Sequence, residues 1–332
     1  MQEAGEPPTP DAAGPVDTQA VRVELDYARG VAYAMQQNDV PVVQRVRLEN
    51  VSGEPLVDVV VRLSMEPGIA LAWEARLDRL EPARAAVLAH ADLALRPERL
   101  ANLLERERGL LWVEVTAGGV CVKREAHPVA VLAYNEWPGE LAPRELLAAF
   151  VMPNHPVVEG VLSDARDLLA KETGDPSLTG YQARDPDRAR ALVRALYDAI
   201  RARGLSYVNP PASFESGGQK IRTPEQLAGA GMGTCLDLAV FLAACLEQAG
   251  LHPLVVVVPG HAFAGAWLVE ESFPEAIVDE AVRLRKRVDL EELCVFECVS
   301  VCRGQATPFD VALREGRRRL GEGEAFGFAL DV

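Results

Sequence analysis

GMGTCLDLAVFLAACLEQAG (231–250), followed after one apolar run by GHAFAGAW (260–267), decides how the second half of this chain is read. Gly231 and Gly233 permit a tight approach to a helix start, Thr234 is a suitable N-cap, and an apolar face begins at once. Cys235 then falls in the first helical turn, where free N–H groups and the positive end of the dipole favour a thiolate. Asp237 opposes thiolate formation by its charge, so its expected role is to start the helix. Cys245, in mid-helix between Ala and Leu, reads as core packing. His261 follows Pro259 and Gly260 and opens an alternation of His261, Phe263, Gly265 and Trp267 against Ala262, Ala264, Ala266 and Leu268. The small residues of the second face suit packing against the Cys235 helix. A thiol and an imidazole so placed are a nucleophile and its base. His90, His127, His155 and His252 lie in expected loops or element ends with no evident partner.

An acid to orient His261 is Glu297 or Asp279. Glu297, in CVFECVSV (294–301), lies in an expected strand with Val295, Val299 and Val301 on its face, and an acid among apolar neighbours calls for a partner. Asp279, in EAIVDEA (275–281), lies sooner after His261 and before the basic run RLRKR (283–287). The backbone N–H of Cys235 and the amide of Gln219 are the candidate oxyanion donors, although Gln219 serves equally well to tie down its own loop. That loop, LSYVNPPASFESGGQKIRTPEQL (205–227), has little periodicity, and Tyr207 and Asn209 are candidates to line the same cleft.

Ahead of these helices and strands the pattern changes. Residues 1–18 are rich in Pro, Gly, Ala and acid and read as a disordered tail. VRVELDY, VVQRVRLEN, LVDVVVRLSM, LLWVEVTA, VCVKREA and VAVLAYN show partial period-2 alternation between turn signals, which predicts an immunoglobulin-like β-sandwich over 19–137, interrupted by a short helix in 96–109. Pro138 and Gly139 mark a boundary, and helical periodicity follows in RELLAAFVM, PVVEGVLSDARDLLAKE and DPDRARALVRALYDAIRARG. Strands at 254–258, 261–269 and 293–301 and a helix near 309–320 complete an α+β domain over 138–332.

Composition narrows the function classes. Asp plus Glu outnumber Lys plus Arg by 49 to 34, a net charge of −15, which argues against nonspecific binding to nucleic acid or anionic lipid. Apolar runs such as PLVVVVP (253–259) are too short to span a bilayer, and the N-terminal residues lack the basic and apolar segments of a secretory signal. A cytoplasmic location is expected, with no membrane partner. The six cysteines sit in apolar stretches without Cys-x-x-Cys spacing, as suits a reducing compartment. Cys294, Cys298 and Cys302, on an extended strand, lie about 13 Å apart at four-residue spacing, whereas two sulfurs on one zinc lie within about 4 Å. They read as packed core thiols, and no metal or cofactor is expected.

Gly-x-Gly-Thr-Cys opening a helix, Gln-Ala-Gly-Leu, a valine-rich strand and Gly-His-Ala-Phe resemble the transglutaminase-like branch of the papain-like cysteine enzymes. That resemblance implies Cys235 as nucleophile, His261 as base and an α+β core. Many relatives carry the third residue in Asp-Pro-Thr, for which this chain offers Val278-Asp279-Glu280 or Phe296-Glu297-Cys298. NEWPG (135–139), AFVMPNHP (149–156), YVNPPASFE (207–215), GQKIRTPEQL (218–227), GTCLDLAVFLAACLEQAGLHPLVV (233–256), GHAFAGAWL (260–268) and LRKR (284–287) resemble the N-terminal region of large bacterial proteins that join such a module to a helicase and nuclease. No Walker-type Gly-Lys-Thr or Gly-Lys-Ser is present, so ATP hydrolysis is not expected.

The expected activity is that of a cysteine peptidase or related amide hydrolase acting on protein or peptide substrates. Resolution of the acyl-enzyme by a lysine amine instead of water gives a crosslinking acyltransferase. The alternative from another class is a noncatalytic recognition module whose β-sandwich binds a protein partner. An accessory to a helicase or nuclease is a third, and it requires RLRKR to join the arginines of 314–319 in one exposed surface. Oligomeric state is not legible.

Overall fold

The computed structural model describes residues 16–321 and 325–332. Chain contacts divide it into two units, Met1–Val131 and Leu132–Val332, and the whole is a mixed α+β fold.

The first unit is built of β1 (Val21–Tyr27), β2 (Val43–Asn50), β3 (Leu56–Glu66), β4 (Trp73–Leu80), β5 (Ala85–Ala91), β6 (Glu107–Ala117) and β7 (Val120–Val131). One antiparallel sheet has the order β1-β2-β5; the other runs antiparallel along β7-β6-β3-β4, with Gly30–Val31 paired in parallel to β7. Alternate residues Val59, Val61, Leu63 and Met65 of β3 and Leu111, Val113 and Val115 of β6 are buried, the period-2 pattern of a sheet with one core face. Two expectations change here. The helix predicted in 96–109 lasts only from Pro97 to Ala101, because the alternation of β6 takes over from Glu107. Of the predicted tail, Val16–Asp17 is a strand paired with β7, while 1–15 lie outside the described residues.

The second unit starts earlier than Pro138. Glu136–Trp137 pairs antiparallel with Gln219–Lys220, and the Trp137 ring is fully buried beside Phe328, so both belong to the second core. RELLAAFVM forms a 3-10 turn, Arg144–Phe150, in place of an α-helix. There follow α1 (Pro156–Thr173), α2 (Pro186–Ala202), α3 (Cys235–Gln248), β8 (Pro253–Val258), β9 (His261–Trp267), β10 (Ile277–Val278), α4 (Ala281–Asp289), β11 (Leu293–Phe296), α5 (Phe309–Arg319) and β12 (Phe328–Asp331). The sheet order is β10-β12-β8-β9-β11, antiparallel throughout.

Helix α3 packs against β8 and β9 and also against α1 and α2. Every residue from Cys235 to Leu246 is buried, as a helix that is apolar all round must be. The region 205–227 is not a structureless loop. It holds Ser206–Tyr207, paired in parallel with Met232–Gly233, the short helix Phe214–Gly217, and the start of helix Pro224–Ala230, which is capped by Thr223 and Gln226.

Candidate functional site

Cys235 opens α3, and its start is tightly fixed. The Thr234 hydroxyl accepts from the Asp237 N–H at 3.2 Å, and the Asp237 carboxylate accepts from the Thr234 N–H at 2.8 Å. Asp237 also accepts from the backbone and guanidinium of Arg222, at 2.8 and 2.7 Å, which ties the preceding segment to the helix. A Cβ at Gly233 would lie 2.5 Å from Leu227 Cδ1, so glycine lets the Leu227 side chain sit against the helix start without shifting. The Ala262 backbone N–H bears on the Cys235 thiol and favours its anion, and the Tyr207 hydroxyl interacts with the same thiol.

The helix terminus does not lower this thiol, as the sequence led us to expect. Burial pushes Cys235 up to about 11, with the Glu297 and Asp237 charges adding to the rise, and this outweighs the Ala262 and Leu236 N–H groups. Burial also takes the Tyr207 hydroxyl up to about 12. Cys245 is pushed up further still, in keeping with a core thiol.

His261 opens β9, and its Nε2 contacts the Glu297 carboxylate at 2.8 and 3.1 Å. Sheet topology makes this pairing. β11 lies beside β9 with Phe296 opposite Ala264, so the residue leaving β11 arrives at the start of β9. The predicted strand 293–301 ends at Phe296. Glu297 is just beyond it, its N–H bonded to Ala312 of α5 at 3.0 Å, and a 3-10 turn spans Val299–Val301. Glu297 additionally accepts from the Val299 N–H at 3.0 Å and from Arg319 Nε at 2.8 Å. Burial alone would raise its carboxyl, but the bond and charge of His261, the Val299 N–H and Arg319 hold it below the usual carboxylate range. Arg319 was read from sequence only as part of a basic surface.

Asp279 is not brought to His261. It follows β10, with β12 and β8 lying between that strand and β9, and it is exposed and bonded to Arg144 at 3.1 Å. Cys294, Cys298 and Cys302 are buried but do not share a strand face, because the chain turns after Phe296. Cys298 points into the site instead, its Sγ 3.3 Å from both the Cys235 and Ala262 carbonyl oxygens. Among the described residues no cluster of three His, Cys, Asp or Glu is arranged to hold a metal.

Gln219 is buried, with Nε2 donating to the Thr234 hydroxyl at 3.0 Å and Oε1 left without a partner. It lines a cleft of about 860 Å³ together with Thr234, Val208, Asn209, Pro211 and Arg222. A second opening of about 320 Å³ is lined by Tyr207, His261, Glu297, Ser300, Glu315 and Arg319. Cys235 lines neither and is fully buried.

The remaining histidines have structural partners. His127 contacts Glu125 at 3.1 Å, the His155 ring accepts the Val157 N–H at the start of α1, and His252 Nδ1 lies 2.7 Å from the Glu271 carbonyl. The side chain of His90 lies outside the described residues. Arg285 bonds the Leu320 carbonyl at 3.2 Å, which puts α4 beside the end of α5. Within the two basic runs, however, Arg283, Arg287, Arg318 and Arg319 are engaged by glutamates, leaving Lys286, Arg314 and Arg317 exposed.

No protein-family model matches the chain, and no curated protein matches it. Solved structures show distant similarity, two of them as follows. The sporulation control protein Spo0M from Bacillus subtilis aligns at 13% identity with a TM-score of 0.20, over 47% of this chain and 56% of its own. A protein from Parabacteroides distasonis described as a candidate protease aligns at 15% identity with a TM-score of 0.21, over 66% of this chain and 40% of its own. Scores this low assign no fold, and the chain spans about half the length of either relative. Among the described residues no helix is long and apolar enough to cross a membrane.

Proposed function

We propose that the second unit is a cysteine-dependent amide hydrolase of the transglutaminase-like type, with Cys235 as nucleophile, His261 as base and acid, and Glu297 as the group that orients the imidazole. The observation that carries this reading is the bond from His261 Nε2 to a buried carboxylate, made by a histidine whose neighbour Ala262 is brought beside Cys235, the Cys298 Sγ lying 3.3 Å from both of their carbonyl oxygens. With Nε2 committed, Nδ1 is the ring nitrogen left to take the thiol proton. The thiolate attacks an amide carbonyl, the oxyanion is met by the Cys235 N–H and the second Nε2 hydrogen of Gln219, the first being given to Thr234, and the imidazolium passes its proton to the leaving nitrogen as the C–N bond breaks. Water then attacks the thioester, giving a carboxylic acid and the restored thiol. Glu297 stays ionised and stabilises the imidazolium throughout.

The sheets of the first unit, with alternate residues buried, suit a β-sandwich, and a protein partner for it remains the expectation from sequence. Six free thiols favour a reducing, cytoplasmic setting. A helicase-linked context rests on sequence resemblance, and the neutralised basic runs do not favour direct nucleic-acid contact. The full burial and raised pKa of Cys235 favour a second reading, a recognition module on an inactive scaffold.

Alkylation by iodoacetamide, read site by site by mass spectrometry, separates the two. Cys235 is expected to react faster than Cys245, and His261→Ala is expected to slow it at least tenfold. Equal rates with and without the histidine would remove the nucleophile. Screening peptide libraries against Cys235→Ala as control then identifies the bond cleaved, and adding a lysine amine distinguishes crosslinking from hydrolysis.

A further inference from the structure

A nucleophile has to meet its substrate, yet Cys235 is fully buried while the residues on either side of it are reached by two separate openings. The larger contains Gln219 and Thr234, and the smaller contains His261 and Glu297. One stretch of chain walls both: Tyr207 lines the smaller, and Val208 and Asn209 line the larger. Its attachment is slight. Ser206–Tyr207 makes a two-residue parallel pairing with Met232–Gly233, closed by Ser206 N–H to Gly231 O at 2.8 Å and Val208 N–H to Gly233 O at 2.9 Å. Gly204, in the left-handed region at φ +61°, stands at one end of the stretch, and Pro210–Pro211 at the other.

We propose that the two openings are halves of one groove that binds a polypeptide on both sides of the attacked amide, and that residues 206–209 are a strap across its middle that lifts to admit it. This rests on the reading of Cys235 as nucleophile. The acyl half lies on the Gln219 side, where the oxyanion donors are, and the leaving half on the His261 side, where the amine takes its proton. A groove that extends past the thiol in both directions fits a bond inside a chain rather than one at its end. Lifting the strap removes Tyr207 from Cys235 and lets water reach the thiol. That relieves the burial which raises its pKa and restores the influence of the helix terminus.

Ser206 and Met232 face each other in the parallel pairing and are both exposed. Neighbouring strands lie about 4.8 Å apart, within disulfide range, so S206C with M232C can pin the strap, and its reduced form is the folding control. Two probes are used, iodoacetamide and a blocked tetra-alanyl chloromethyl ketone, with alkylation of Cys235 followed by peptide mass spectrometry. Pinning is expected to slow both at least tenfold, with full recovery on reduction. Gly229 lines the larger cleft and has open space at its Cβ position, so Gly229→Trp fills the acyl half and is expected to lower the ketone-to-iodoacetamide rate ratio at least tenfold. Equal rates in the pinned and reduced forms would overturn the strap, and an unchanged ratio in Gly229→Trp would overturn the assignment of the acyl half. The nucleophile itself is tested separately, by the effect of His261→Ala on the unpinned protein.

Discussion

Among the described residues, the first unit buries one polar side chain, Asn50, and the second buries Glu136, Gln219, Thr234, Asp237, Glu297 and Asp331. Asn50 donates to the Glu54 and Leu80 carbonyls, both at 2.8 Å, and accepts from the Ser52 N–H at 2.9 Å and hydroxyl at 2.7 Å. All its capacity is used within one turn and the adjoining strand, so it is a fastener. Gln219 carries the same amide one methylene further out, yet spends only one end and leaves the other buried and unpaired. Burial of a polar group is therefore no sign of function by itself. Unspent capacity beside a nucleophile is the informative feature.

Within the second unit the contrast runs between groups that hold the site and groups that act in it, and Asp237 should show the largest effect. Asp237→Ala leaves the Thr234 N–H and the Arg222 guanidinium without their carboxylate. Arg222 is itself partly solvated, but the Arg222 and Thr234 backbone N–H groups are also left unpaired at about 1–3 kcal/mol each, and at about 2–4 °C per kcal/mol that lowers the melting temperature by roughly 10 °C. Calorimetry that finds a drop below about 2 °C would mean Arg222 and Thr234 are satisfied by other means.

Glu297→Gln comes next, at on the order of 1–3 kcal/mol, because Arg319 stays partly solvated when its partner is neutral. Its pH dependence is the sharper readout. The folded-state carboxyl sits below its ordinary value. Its stabilising contribution is therefore complete above the unfolded pKa, about 4.3, and is lost as pH falls through the lower folded value. Urea titrations from pH 6 to 3 should show a steeper acid loss in the native protein than in the variant. Parallel curves would detach Glu297 from the acid limb.

In the first unit, Asn50→Ala is expected to cost about 1–2 kcal/mol by stripping partners from two carbonyls. Alkylation of Cys235 should not change. A slowed alkylation would mean that the fastener in one unit and the site in the other are energetically coupled, and the contrast between them would fail.

Much of this geometry is legible locally. Gly-x-Gly-Thr before Cys235 is a capped helix start whatever surrounds it, and the alternation after His261 is that of a strand. Glu297 was singled out on a sound argument, that an acid among Val and Phe needs a partner, but placed on a strand that ends one residue before it. The turn after Phe296 depends on Glu297 bonding to α5, a pairing that no local pattern encodes. Arg319 was concealed in the same way, since three successive arginines look like a solvated face until the helix is docked. Strands β4 and β5 escaped because half of WEARLDRL is charged and AAVLAHA is rich in alanine, a weak strand former. The fall of the Cys235 thiolate expected from the helix terminus was reversed by burial, which is a property of the packed unit.

The smallest effect separates the two acids considered for His261. Asp279 is 67% exposed, and its bond to Arg144 is a surface pair, worth at most about 1 kcal/mol. Asp279→Asn should therefore move stability by less than about 0.5 kcal/mol and leave both the alkylation rate of Cys235 and its dependence on His261 unaltered. The two carboxylates differ in environment rather than in kind. One is buried and shared among an imidazole, a guanidinium and a backbone N–H, and the other is solvated at the far side of the sheet. Should Asp279→Asn slow alkylation as much as Glu297→Gln does, the sheet would have to rearrange in the reacting state, carrying β10 across two strands to reach β9. That shift would break the β12 and β8 ladders, so the absence of an effect at Asp279 is the outcome that the antiparallel order requires.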